Sequence, residues 1–327
     1  MIEERERDWR RFEPPDGVEP LNEERVARLV PKRDPRGHKG TFGTLVAVCG
    51  SLDYVGAALL ASLAALRAGA GLVCLAVPAS LQPLFAGRVI EVVTMALPET
   101  APGEVDPKAS AALIAKRAPD ALLIGSGLRA GEATRDLVAR IVAAEGPPAV
   151  LDAEALNSLA KTPDWWSAAK RPAVLTPHPG EFARLDGSAV GEDDESRVER
   201  ARAAAVRWGR VVVLKGAHTV VAAPDGRAAM AGFENPALAT GGTGDVLAGT
   251  VGSLLAQGCA QYEAGCLAVY LHGLAAEHVR ERLGDSGLLA SDLPFEIARV
   301  RRHLTAVRRR AGPTRRRLGF VPRGTGG

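Results

Sequence analysis

Residues 44–77, TLVAVCGSLDYVGAALLASLAALRAGAGLVCLAV, decide the fold. Two apolar, strand-like runs, Thr44–Cys49 and Leu72–Val77, flank the Ala-rich segment Val55–Ala68, which has helical length and hardly any polar face. Apolar strands alternating with helix-length spans belong to a mainly parallel sheet, because parallel neighbours need a crossover helix and such strands are buried on both faces. The alternation continues through strand candidates at Ala121–Ile124, Ala149–Asp152, Ala173–Leu175, Val211–Leu214 and Thr219–Ala222. Helices are predicted at Glu195–Trp208, which is amphipathic, and at Asp245–Gln257 and Tyr262–Leu283. No internal repeat or second core is visible, so the sequence predicts one α/β domain, a mainly parallel central sheet covered by helices on both faces.

The boundaries follow from composition. Residues 1–36 are charged and rich in Pro and Gly, and the stretch from 304 onward lacks apolar periodicity, so both are expected to be poorly ordered flanks of a domain spanning 37–303. Residues 297–327 contain ten Arg and no acid; without them the chain keeps 31 basic against 38 acidic residues, a body of net charge −7 beneath the overall +3. An acidic body with a basic tail is not the footprint of a duplex-reading domain, which gathers its cations on a folded element. Cys49, Cys74, Cys259 and Cys266 show no CxxC spacing and read as reduced structural thiols. The charged N-terminus lacks a signal-peptide core and no apolar window reaches membrane-spanning length, which places the protein in the cytoplasm as an expectation.

The strongest chemical motif is Asn235-Pro236-Ala237-Leu238-Ala239-Thr240-Gly241-Gly242-Thr243-Gly244-Asp245, a glycine-rich turn opening into the apolar helix VLAGTVGSLLAQ. Glycines let backbone amides approach an anion, and a helix N-terminus adds free N–H donors and partial positive charge. The bland alternative makes Asp245 an N-cap. No GxxxxGK[ST] is present, which excludes a P-loop. Asp245 beside Gly241, Gly242, Thr243 and Gly244 instead offers a carboxylate to accept a hydroxyl proton and amides to neutralise phosphoryl oxygens.

Two strand-end segments add to it. Lys215-Gly216-Ala217-His218-Thr219 follows a buried strand, where ligand crevices form in open α/β sheets, and Lys215 is placed to meet phosphate. Thr176-Pro177-His178-Pro179-Gly180-Glu181 follows another, making His178 a candidate substrate contact. Gly125-Ser126-Gly127-Leu128-Arg129-Ala130 formally matches G-x-G-x-x-A, but it lies far from the first strand and lacks the acid that ends the next strand of a dinucleotide unit. It reads as a strand-end turn facing substrate, not as evidence for hydride transfer.

In this order, and together with His38-Lys39-Gly40-Thr41-Phe42-Gly43, the LRAGAG of residues 66–71, Leu151–Asn157 and Ala290–Leu293, these motifs resemble the ADP/ATP-dependent NAD(P)H-hydrate dehydratases, over His38 to Arg299. That resemblance implies a ribokinase-like fold and ADP-dependent dehydration of the S-form of NADH-hydrate and NADPH-hydrate, with release of AMP and phosphate. It implies that Lys215, Gly216, Ala217, His218, Thr219 and Gly244 bind the adenine nucleotide, while Ala57, Gly127, His178 and Asp245 line the hydrate site. Asp245 would be the catalytic base. ADP is the implied donor, with ATP as the alternative, and Mg²⁺ would bridge the nucleotide phosphates without protein ligands that the sequence identifies. The resemblance further implies a homo-oligomer, a tetramer in such families, and a separate epimerase, since the epimerase unit fused to many members has no room in the residues before the match. The chain departs from the family pattern at Glu234, Ala237 and Leu238, where Gly, Gly and Met are common, and at Glu154, where Asp is common. Two other readings share these motifs: a ribokinase-like small-molecule kinase that stops at a stable phosphate ester, and a nucleotide-binding regulatory module.

Overall fold

The computed structural model describes residues 8–311. In chain order its elements are β1 (Glu19–Pro20), α1 (Glu23–Leu29), β2 (Thr44–Val48), α2 (Val55–Arg67), β3 (Leu72–Pro78), α3 (Gln82–Ala86) and β4 (Val93–Leu97). A small hairpin of β5 (Glu99–Ala101) and β6 (Glu104–Val105) precedes α4 (Pro107–Lys116), β7 (Ala121–Ile124), α5 (Glu132–Ala143), β8 (Ala149–Leu151), α6 (Glu154–Ala160) and α7 (Trp165–Ala168). Next come β9 (Ala173–Leu175), α8 (Pro179–Asp186), α9 (Asp194–Trp208), β10 (Val211–Leu214), β11 (Val220–Ala222) and β12 (Ala228–Met230). Three helices close the chain: α10 (Thr243–Ala256), α11 (Gln261–Leu283) and α12 (Leu293–Ala311).

Ten strands form one sheet in the order β1-β12-β11-β10-β9-β8-β7-β2-β3-β4. From β10 to β4 every neighbouring pair is parallel, and the two reversals fall at β10–β11 and β11–β12. The predicted fold class is therefore present. Strand alternation divides the interior: Leu45 and Ala47 join a core under α1, α2, α10, α11 and α12, whereas Val46 and Val48 join one under α4, α5, α6, α8 and α9. The strand order reverses at β2, which pairs with β3 on one side and β7 on the other, and such a switch opens a crevice at the carboxyl ends of the strands.

All seven predicted strands and all four predicted helices are found, with ends moved by at most two residues. The largest shift matters most. Helix α10 begins at Thr243, Gly242 is its N-cap, and Asp245 sits inside the first turn, so the N-cap role considered for Asp245 is excluded. The expected poor order of the flanks fails for residues 19–30 and 304–311. Strand β1 extends the sheet beside β12, and α1, capped by Asn22, buries Val26 and Ala27. Those apolar positions are hidden in the sequence among charges. Helix α12 continues to Ala311, with Leu304 buried and the Arg308 guanidinium donating to the Val30 carbonyl. The remainder of the basic tail, 312–327, lies outside the described residues. Strands β1 and β4 escape prediction because they are only partly covered, and β12, though buried, because it has three residues.

Helix α10 is apolar all round and packs mainly on α2. Gly249 makes that approach possible: a Cβ there would lie 2.1 Å from the Ala61 carbonyl oxygen, a backbone atom that cannot swing aside. Gly249→Ala is expected to cost about 2–3 kcal/mol through overpacking. Gly56→Ala, where a Cβ meets nothing within 4 Å, should be neutral or raise stability by about 0.5 kcal/mol through the unfolded chain. Denaturant unfolding of both variants checks the pair, and equal effects would remove the contact as the cause.

Candidate active site

Four successive parallel strands each deliver a polar side chain to the crevice. Ser126 follows β7, Asp152 ends β8, Thr176 ends β9 and Lys215 ends β10. They converge on Asp152, only 2% exposed, whose carboxylate accepts from Ser126 Oγ at 3.0 Å, Thr176 Oγ1 at 2.7 Å and Lys215 Nζ at 3.1 Å. Glu181, in the first turn of α8, brings Oε2 within 3.7 Å of the same ammonium. Burial alone would lower the Lys215 pKa, but Asp152, Glu181 and Asp245 outweigh it and hold the ammonium more firmly charged.

Asp245 faces the same crevice from α10. Its pKa is raised to about 7, first by burial and next by the Asp152 charge, against the pull of Lys215 and the Ser126 hydroxyl. A carboxyl with that pKa takes up and gives back a proton near neutrality.

The turn before α10 is built to offer donors. Thr243 Oγ1 donates to the carbonyls of Leu238 and Thr240, and Thr240 Oγ1 to that of Ala237, so hydroxyls satisfy the turn's acceptors. No side chain caps α10, and the amides of Gly241, Gly242, Gly244 and Asp245 have no acceptor among the described residues. Gly242, at φ +94°, takes a left-handed conformation that lets the amides turn toward one side. Below, His272 of α11 places Nε2 3.0 Å from the Thr243 carbonyl; burial first, then Lys215, lowers its pKa to about 4, so it stays neutral and donates there. Lys215 closes the cradle, since a Cβ on Gly244 would lie 3.4 Å from Nζ.

The other predicted residues fall into two groups. Ala57 and Gly127 meet at the switch point: a Cβ on Gly127, at φ +70°, would lie 2.7 Å from Ala57 Cβ. His178 is the N-cap of α8; Nδ1 accepts from the Gly180 and Glu181 amides, which leaves the ring proton on Nε2, half-exposed to the crevice. In the second group, Gly216 and Ala217 form the exposed tip of the turn after Lys215, and Thr219 Oγ1 closes it on the Gly216 carbonyl at 2.9 Å. His218, at φ +50°, is engaged by Asp194 at 2.8 Å and by the Phe12 ring. The structure thus joins Lys215 and Gly244 to Asp245, whereas the His218 ring turns to α9 and the N-terminal segment.

Ser126, Asp152, Thr176 and His272 were not assigned from the sequence. A rule could have found the first three, because each stands within two residues of the carboxyl end of a parallel strand. His272 gave no such signal, being one polar residue inside a long apolar helix. The Cys49 thiol beside them is pushed well up, by burial first and then by Asp245 and Asp152, and is inert as expected. All four cysteines are free, and among the described residues no helix is long and apolar enough to cross a membrane.

The same chain can be set beside known proteins. The family profile described as NAD(P)H-hydrate dehydratase matches residues 45–299. The chain is 43% identical over 276 residues to the bifunctional NAD(P)H-hydrate repair enzyme of Moorella thermoacetica, covering 84% of this chain and 52% of that protein. It therefore spans about half the length of such bifunctional relatives. It is 37% identical over 278 residues to the ADP-dependent (S)-NAD(P)H-hydrate dehydratase of Bacillus subtilis, covering 85% of this chain and 96% of that one. A crystal structure of the ADP/ATP-dependent NAD(P)H-hydrate dehydratase of Bacillus subtilis, co-crystallised with ATP and Mg²⁺, superposes with a TM-score of 0.76 at 35% identity, covering 88% and 99% of the two chains. With a parallel sheet whose carboxyl edge carries Asp152, Lys215 and a glycine turn leading to Asp245, the chain belongs to the ribokinase-like NAD(P)H-hydrate dehydratase family.

Proposed function

We propose that this protein removes water from the S-form of NADH-hydrate and NADPH-hydrate at the expense of ADP, restoring NAD(P)H and releasing AMP and phosphate. The observation that carries the reading is Asp245, with a pKa of about 7, standing beside free helix-terminal amides and the Lys215 ammonium. Hydroxide is a poor leaving group, and phosphorylation replaces it with a good one. Asp245 accepts the proton of the ring hydroxyl, and that oxygen takes the terminal phosphoryl of ADP. The C–O bond then breaks as the ring nitrogen's lone pair expels phosphate, and loss of the adjacent ring proton restores the double bond. The amides of Gly241, Gly242 and Gly244 and the Lys215 ammonium neutralise the phosphoryl oxygens. Gly216, Ala217, His218 and Thr219 form the nucleotide-side turn, and Ala57, Gly127 and His178 the hydrate side.

Mg²⁺ enters this reading with the nucleotide. Among the described residues no group of three or more His, Cys, Asp or Glu suits a metal ion, and Asp152 is already bonded to three donors. The protein side chains do not make a metal site on their own; a Mg²⁺ held by nucleotide phosphates would screen their charge.

Purified protein incubated with hydrated NADH and either ADP or ATP should restore dihydronicotinamide absorbance while releasing AMP from ADP. Accumulation of a stable phosphate ester, with no absorbance recovered, would make the protein a kinase instead.

Asp245→Asn should keep the fold and ADP binding but lower turnover by about 10²- to 10⁴-fold, the usual contribution of a positioned base. It should also gain stability. In the folded wild type Asp245 holds its proton up to about pH 7, while the unfolded chain releases it near pH 4, so wild-type stability declines between those values. The variant escapes that decline, and its advantage should grow from pH 4 to pH 7 and reach on the order of a few kcal/mol. Near wild-type turnover, or no stability gain at pH 8, would remove Asp245 as the base.

The pH profile gives an independent check. Because the base must be ionised, kcat/KM should fall tenfold per pH unit below an apparent pKa of about 7. In Lys215→Ala the ammonium no longer favours ionised Asp245, so the acid limb should move to higher pH. Calorimetry on that variant should show ADP binding weakened more than hydrate binding, and an unmoved limb with equal weakening would return Lys215 to a structural role.

A further inference from the structure

The Lys215–Thr219 turn is held in shape by residues that do not belong to it. At its tip the amides of Gly216 and Ala217 have no acceptor among the described residues and are free to meet a ligand. Behind the tip His218 stands at φ +50°. A residue with a Cβ keeps that left-handed conformation only where its surroundings impose it. Four contacts do so here. The His218 amide donates to the Phe233 carbonyl at 3.3 Å, and Nδ1 lies 2.8 Å from Asp194 Oδ2 of α9. On the other side of the ring Nε2 lies 3.7 Å from Glu234 Oε1, and the Phe12 ring covers the imidazole with centroids 4.2 Å apart.

Two of those partners, Phe233 and Glu234, come directly before the glycine-rich turn that starts at Asn235. His218 therefore ties the Lys215–Thr219 turn to the head of the glycine turn, by its amide and by its ring. The N-terminal segment braces both ends of this tie. Trp9 packs on the Phe233 ring at a centroid distance of 5.0 Å and edge-on against Tyr270 of α11 at 6.4 Å, while Phe12 lies on His218 itself. The body of the domain makes room for these rings. A Cβ on Gly232 would collide with Phe12 Cβ, and one on Gly273 of α11 would collide with the Phe233 ring, so the interdigitation depends on glycine at both places.

Phe12 precedes the span matched by the family profile, 45–299, and belongs to neither turn. We propose that Phe12 is a positioning residue for the nucleotide: by holding the His218 ring it fixes the Lys215–Thr219 turn against the glycine turn, and so sets the affinity for ADP from outside the matched span. The physical basis is preorganisation. A turn that leaves its binding shape for part of the time binds with an affinity reduced by that fraction, and the strained His218 is the point at which this turn would relax once the ring above it is removed. The proposal rests on the reading of these two turns as the ADP side of the crevice. It assigns the His218 ring to the protein and not to the ligand, since Asp194, Glu234 and Phe12 already surround it.

The test is calorimetric titration of the full chain with ADP and, separately, NADPH, for wild type, Phe12→Ala, Phe12→Leu, Phe12→Tyr and Lys215→Ala. Phe12→Ala should weaken ADP binding about threefold to tenfold, the range of one ring pair, and leave NADPH affinity as in wild type. In turnover the loss should appear in the KM for ADP and not in kcat. Phe12→Tyr keeps the ring over His218 and should restore wild-type ADP affinity. Phe12→Leu keeps an apolar side chain on Gly232 without the ring, so it should weaken ADP binding at least about twofold and decides the matter where Phe12→Ala is too unstable to titrate. A lowered thermal midpoint with unchanged ADP affinity in Phe12→Ala and Phe12→Leu would make Phe12 a packing residue and overturn the proposal, as would equal losses for ADP and NADPH. Lys215→Ala separates the two readings. ADP affinity lost there but kept in the Phe12 variants would leave the nucleotide turn standing and remove the positioning role, whereas ADP affinity kept in Lys215→Ala would remove the nucleotide turn and the proposal with it.

Discussion

One ammonium lets three carboxylates share a single crevice. Lys215 stands 3.1 Å from Asp152 and 3.7 Å from Glu181, with Asp245 close enough to feel it. An ion pair at such distances is worth about 4 kcal/mol at an effective dielectric of 20, and desolvating each ion costs several kcal/mol. One cation cannot offset three desolvated anions. The imbalance falls on Asp245, because Asp152 is stabilised by three donors and Glu181 by the His178 amide at 2.8 Å, whereas Asp245 has the least support. Its raised pKa follows first from burial and then from the excess of carboxylate charge at the sheet edge.

That crevice exists only because helices come unusually close to the strands. Gly249 admits α2 against α10, and Gly252 of α10 lies over Leu45 and Leu123. Gly125, at φ +124°, lets the turn after β7 pass the Asp152 carbonyl, which a Cβ would meet at 1.8 Å. Each close approach lowers a helix terminus or strand-end turn toward the same point. Backbone donors from α10 and side chains from β7 to β10 are thereby brought together, with Lys215 the long side chain that reaches across to Gly244.

How far this could be seen from the sequence depended on periodicity. The buried strands and apolar helices were legible because each carries an uninterrupted apolar run, as in Val211–Leu214 and α10. Residues 19–30 were not: Val26 and Val30 are buried, but the arginines and glutamates around them masked the pattern. The Gly-rich turn, Lys215 and Asp245 were legible as motifs. Asp152, on which the electrostatics turn, has no spacing signature of its own, and only its place at the end of a strand and the family resemblance point to it. Its importance comes from Ser126, Thr176 and Lys215, which lie 24 to 63 residues away in sequence and meet it only through strand order. The same is true of His218, whose partners Asp194 and Phe12 lie on a different helix and in the N-terminal segment.

The pKa of Asp245 also bears on the difference between elimination and simple phosphoryl transfer. A kinase and a dehydratase can share the base, the amides and the ammonium; they differ in the fate of the phosphate ester once it stands in the crevice. An ester dianion facing three ionised carboxylates would be repelled. In the proposed mechanism Asp245 is neutral once it has taken the hydroxyl proton, which removes its own repulsion. Asp152 and Glu181 are turned toward Lys215. Under that proposal the ester would be held by amides and one ammonium while the ring nitrogen expels it, and the carboxyl would return its proton to solvent afterwards. A base with an ordinary carboxylate pKa would release the proton too readily to do this, and one far above 7 would not be ionised to begin the cycle.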